Sequence, residues 1–169
     1  MSETLNRLNK ISKYIGLGSK VLFVLLAIAI VFAFAVIVAV TLDPDLVGLF
    51  EPTVKNGQVL ATCVTTICAG ALGLIVLYYI SRLFMNIYKN NTPFTDENVK
   101  TLEIIAIMAI VCAIAMPAAS ALSAYAFDAG YDQVIGFNAF TLFVAFLVYF
   151  LSLIFKYGAV LQKESDETL

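Results

Sequence analysis

The sequence contains no histidine and no tryptophan, and only 13% of its residues are charged. Without imidazole the chain lacks the commonest metal ligand and the one side chain that titrates unaided near neutral pH. Its three cysteines, Cys63, Cys68 and Cys112, all fall inside apolar runs, with no CxxC or metal-ligand spacing. On a helix the step from Cys63 to Cys68 turns the side chain by about 140°, so these two sulfurs diverge. They read as small packing residues rather than as a thiol centre. No cofactor and no metal are expected.

What the chain has in excess is hydrocarbon: 62% of its 169 residues are hydrophobic and the mean hydropathy is +0.95. An ordinary soluble domain is about half apolar and about a quarter charged. A chain of this length cannot bury such an excess inside itself, so lipid is the natural cover. The expected fold is all-α: an integral membrane four-helix bundle, with both termini cytoplasmic and with long second and third helices forming a cytoplasmic hairpin.

Residues 1–19 are polar with an apolar stripe, Leu5, Leu8, Ile11 and Ile15, opposite Arg7, Lys10 and Lys13. Such a segment suits a short amphipathic helix on an anionic leaflet, or a positive leader that orients the first span. Gly16 and Gly18 are expected to loosen the junction that follows. Residues 20–160 form a single membrane domain, with spans at about 20–42, 58–81, 103–127 and 138–156, and 161–169 form a polar tail. The first apolar run is too long for a cleaved signal peptide, so it reads as an uncleaved anchor. Thr95, before Asp96 and Glu97, has the chemistry of a helix N-cap, and Pro117 is expected to bend the third helix.

Nine of the ten Lys and Arg residues lie before the first span, between the second and third, or after the fourth; Lys55 is the exception. That bias follows the positive-inside rule and places both ends in the cytoplasm. The opposite loops hold Asp43, Asp45, Glu51, Asp128 and Asp132. Of these, Asp45, Glu51, Asp128 and Asp132 are candidates for sensing a cationic or peptide signal. A short echo between residues 45–50 and 132–137 suggests either a repeat of two hairpins or coincidence.

No charged residue lies in the middle of any span. Proton-coupled transporters, pumps and voltage sensors need ionisable groups at that depth. The span interiors offer weakly polar groups, Thr62, Thr65, Thr66, Ser120, Ser123 and Ser152, with Asn138 at an outer end, so no acid–base pair or nucleophile–base pair can be assembled there, and no enzyme is expected. Thr62, Thr66 and Gly70, and Ala115, Ala119 and Ser123, recur every four residues, which suits close helix packing. Phe140, Phe143, Phe146 and Phe150 form a stripe on the fourth span that faces lipid or a neighbouring helix.

The helical pattern of the second span continues past the bilayer to about Lys89 and presents Arg82, Lys89, Asn91, Pro93, Phe94, Asn98 and Lys100 on an inner hairpin. This hairpin, with Gln162, Glu164, Asp166 and Glu167 of the tail, is the candidate partner-binding surface. The stretches Asn91-Thr-Pro-Phe-Thr95, Glu97-Asn-Val-Lys100 and Leu161-Gln-Lys-Glu-Ser-Asp-Glu-Thr168 resemble a bacterial four-span family catalogued as domain of unknown function 2975. The resemblance covers about residues 15–169 and implies a bacterial cytoplasmic membrane. Genes of that family often lie beside one for a small helix-turn-helix regulator, which implies such a regulator as a cytoplasmic partner; no catalytic residue comes with it.

Two functional readings follow. One is a non-enzymatic membrane sensor or regulator that holds a soluble partner and touches no nucleic acid itself. The other is a small transporter, exporter subunit or lipid-binding protein acting as a homo-oligomer, since four helices mostly fill their own core. Membrane lipids are partners in both.

Overall fold

The structure, a computed structural model, describes residues 3–50, 53–130, 132 and 134–167, without the side chains of Thr4, Phe50 and Asp166. Five helices follow in order: α1 (Glu3–Leu42), α2 (Leu46–Phe50), α3 (Asn56–Asn90), α4 (Asp96–Ala126) and α5 (Ala139–Glu167). There is no strand among the described residues. The four long helices are each long and apolar enough to cross a membrane. At a rise of about 1.5 Å per residue all four exceed the hydrocarbon thickness of about 30 Å, not the second and third alone.

The extra length of α1 and α5 comes from the two terminal segments. α1 runs unbroken through Gly16 and Gly18, so the expected loosening does not occur. Gly16 is instead a close approach: a Cβ there would lie 3.1 Å from the Met85 side chain, and its carbonyl accepts a hydrogen bond from Ser81 Oγ at 3.2 Å. At the other end α5 continues to Glu167, so much of the expected tail is helical. The echo between the two acidic loops is not carried into conformation, because Leu46–Phe50 is helical whereas 134–138 is irregular.

The chain forms two compact units, residues 1–23, 75–110 and 140–169, and residues 24–74 and 111–139. In the first unit, segments of all four long helices pack as a four-helix bundle around Leu83, Ile87, Leu102 and Ile105, joined by Leu8, Val148 and Phe155. Its interior is otherwise small and polar: Asn9, Ser12, Gly16 and Ser19 of α1 are buried, as are Ala106, Ala145 and Ser152. The apolar Ile11, Tyr14 and Ile15 point outward. Beyond Leu8 the apolar stripe of α1 therefore lies on its outer face. Where lipid is as apolar as leucine, helices gain by bringing small residues and hydrogen-bonding groups together. The phenylalanine stripe of α5 obeys the same rule, with Phe140, Phe143, Phe146 and Phe150 all exposed.

The second unit is built by even closer approach. Gly57 meets the carbonyl oxygen of Phe127 and leaves no room for a Cβ against it. Gly70 receives Ile30 of α1, and Ala61 packs with Ala124, Ala129 and Val134. The Thr65 and Ser123 hydroxyls sit 2.9 Å apart between α3 and α4. α4 stays helical through Pro117, whose carbonyl accepts from Ser120 Oγ at 2.9 Å. Ser120 Oγ in turn accepts from the Ile135 N–H at 2.9 Å, tying the following loop to the helix.

Candidate functional site: the hairpin and the end of α5

Residues 91–95 turn the chain between α3 and α4 by three local devices. Asn91 follows the last residue of α3 with φ 56°, the left-handed position at which helices stop and which Asn tolerates. Its side-chain oxygen accepts a hydrogen bond from the Asn9 amide of α1. Thr92 Oγ1 accepts from the Phe94 N–H at 3.2 Å and donates to Gln162 Oε1 at 3.0 Å. Thr95 is the N-cap of α4, its Oγ1 taking the Asn98 N–H at 3.2 Å, as its sequence context predicts.

This turn docks on α5. The Phe94 ring meets Phe155 edge to face, with centroids 5.5 Å apart at 71°. Phe94 also presses on Gly158, where no side chain intervenes. Beside it lies an open groove of about 500 Å³ lined by Phe94, Asp96, Val160, Gln162, Lys163 and Glu167. Hairpin and tail, far apart in the chain, thus form one surface.

The residues singled out from sequence have different fates there. Phe94 and Gln162 meet at the groove; Pro93 is half-buried; Lys89, Lys100, Glu164 and Glu167 are exposed. Arg82 is committed to a partner within the protein, its guanidinium 2.6 Å from Glu97 Oε1 with both side chains about half exposed. That hydrogen bond holds the Glu97 carboxyl below its usual range and raises Arg82. Asn98 is a correction. It is wholly buried, its Nδ2 donating to the Pro93 carbonyl at 3.1 Å, so it braces the turn from inside and is out of a partner's reach. Glu51 lies outside the described residues, as does the Asp166 side chain.

Asp45, Asp128 and Asp132 are exposed in the second unit. Among the described residues no group of three or more His, Cys, Asp or Glu side chains could hold a metal ion. Sequence reasoning missed Gly158 and Thr92 as parts of the site. Gly158 carried a signal, a lone glycine within a helix of bulky residues.

Four membrane-length helices, a small and polar interior and an apolar exterior define a multi-pass α-helical membrane protein. Residues 50–169 match the family described as "Protein of unknown function (DUF2975)". The chain belongs to that family. No curated protein and no solved structure matches it.

Proposed function

We propose that the protein is a non-enzymatic regulator of the bacterial cytoplasmic membrane, with both termini inside, that holds a soluble cytoplasmic partner on the surface made by the 82–100 hairpin and the end of α5. The single observation that supports this is the convergence of Phe94 of the hairpin and Gln162 of α5 on an open groove, with Thr92 hydrogen-bonded to Gln162. The groove is mixed in character, with Phe94 and Val160 beside Lys163 and Glu167 on its walls, a lining whose chemistry suits a peptide or amphipathic helix. The family resemblance makes a small helix-turn-helix regulator the partner to test first. Charge supports the sidedness, since nine of the ten Lys and Arg residues belong to the unit that carries the groove.

The test is photocrosslinking in cells from a probe at position 94, with one at the exposed Tyr125 as reference. The proposal expects a soluble protein captured at 94 and not at 125. Capture of nothing but lipid at 94 overturns it. Sidedness is checked separately by labelling single cysteines introduced at 132 and 164 with an impermeant reagent on intact cells. Labelling at 164 rather than 132 overturns the assigned orientation.

A further inference from the structure

A second cavity, of about 460 Å³, lies within the other unit and is lined by Ala121, Ala124, Tyr125, Asp128, Gly130 and Val134. Its volume falls in the range of small-molecule sites, roughly 300–1,000 Å³. Among the described lining residues Ala121, Ala124 and Val134 make apolar walls, and Tyr125 and Asp128 bring the polar side-chain atoms. Among the described residues no cation answers that carboxylate: Asp128 makes no ion pair there, and Lys55 is the one Lys or Arg in this unit.

The way the chain places Asp128 there is unusual. α4 ends in a two-bond cap, with Ala129 N–H donating to the Ala124 carbonyl at 2.9 Å and Asp128 N–H to the Tyr125 carbonyl at 3.4 Å. In this cap the residue with positive φ is normally glycine, yet here Asp128 holds φ 50°. A carboxylate at a helix C-terminus also meets the negative end of the helix dipole. Asp128 therefore goes against two local preferences at once, and such departures concentrate where a side chain is needed for something other than folding.

We infer that this cavity binds a lipophilic monocation: one ammonium group against Asp128 and the Tyr125 ring, and its hydrocarbon body against the alanine and valine walls. The carboxylate, the carbonyl end of α4 and the face of a tyrosine all attract positive charge, and the walls reward an apolar body. One carboxylate matches one charge. The ammonium can be carried by a free alkylammonium ion or by a choline headgroup, and the chemistry of the site is the same for both. This site is independent of the partner surface proposed above.

The experiment is equilibrium binding of radiolabelled hexyltrimethylammonium to the full chain in maltoside micelles. Saturable binding is expected, weakened at least about tenfold in Asp128→Asn, as removal of a charged partner predicts, and unchanged in Asp45→Asn. Asp128→Gly separates binding from folding, because it relieves the cap and is expected to raise the melting temperature while abolishing binding. Equal binding by wild type and Asp128→Asn, equal loss in Asp45→Asn, or displacement by heptanol as efficient as by unlabelled probe each overturns the inference. Added phosphatidylcholine displacing the probe, with phosphatidylglycerol not doing so, identifies a lipid headgroup as the ammonium; no displacement by either identifies a free ion.

Discussion

Phe94 lies against the bare backbone of Gly158, so close that a Cβ there would stand 2.6 Å from its Cδ1. The obstructing atoms belong to a side chain, not to backbone, so the ring can swing aside. Gly158→Ala is therefore expected to leave the protein folded, with a melting temperature within a few degrees of wild type, while displacing Phe94 from Phe155 and reshaping the groove. Loss of the position-94 crosslink with unchanged melting is the expected result.

Gly57 is the opposite case. The atom facing it is the Phe127 carbonyl oxygen, which cannot rotate away without moving the end of α4. Gly57→Ala is expected to destabilise by about 1–3 kcal/mol, the usual range for overpacking against a fixed structure. Gly48→Ala, where nothing lies within 4 Å of an added Cβ, is the matched control and should be near neutral. Melting in detergent, read by helical circular dichroism, compares the two.

Asn98 and Thr95 brace the same turn by different means. Thr95→Ala removes an N-cap and is expected to cost about 1 kcal/mol. Asn98→Ala removes the bond to the Pro93 carbonyl inside a packed site and should cost about 1–3 kcal/mol. Lys100→Ala, on an exposed position of the same helix, should change stability little. Ranking the three by melting midpoint checks whether Asn98 acts as a brace.

Glu97 titrates below its usual range because Arg82 hydrogen-bonds its charged form. The folded-state value is thus depressed, so the contribution of the pair is complete above the ordinary glutamate range and is lost as pH falls through the lowered value. The melting-temperature difference between wild type and Glu97→Gln should be small and constant near neutral pH, since both side chains are about half exposed. It should vanish in acid. A difference that grows as the pH falls would contradict this origin.

Much of the fold is legible in the residues alone. The α4 start at Thr95-Asp96, the break at 91–95 and the fourth long helix starting near Asn138 all appear where proline, N-cap chemistry and long apolar runs place them. The face of α1 is not legible in this way. Leu5, Leu8, Ile11 and Ile15 share an apolar stripe suited to a leaflet, and the side of α1 that the protein buries is marked instead by Asn9, Ser12, Gly16 and Ser19. Periodicity reports which residues share a face; it does not say whether lipid or protein meets that face. Asn98 likewise has the look of a contact residue, because polarity in a hairpin is indistinguishable from polarity in a brace until the turn is folded around it.

Composition and pattern are enough to make this a helical membrane protein. Apolar runs of membrane length, a charge-free interior and sparse loop chemistry leave the backbone no other way to satisfy its hydrogen bonds in lipid. Which residues form surfaces is a different matter, settled by the packing of the helices. Packing brings Gln162 to Thr92 across 70 residues of chain and sets Gly158 against Phe94. It also holds Asp128 at a cavity in a backbone conformation that a one-dimensional pattern does not encode. The physical reason is that hydrophobicity is read residue by residue. Close approach depends on what a neighbouring helix lacks, a Cβ at Gly158 or at Gly57, and that is defined only once the two helices meet.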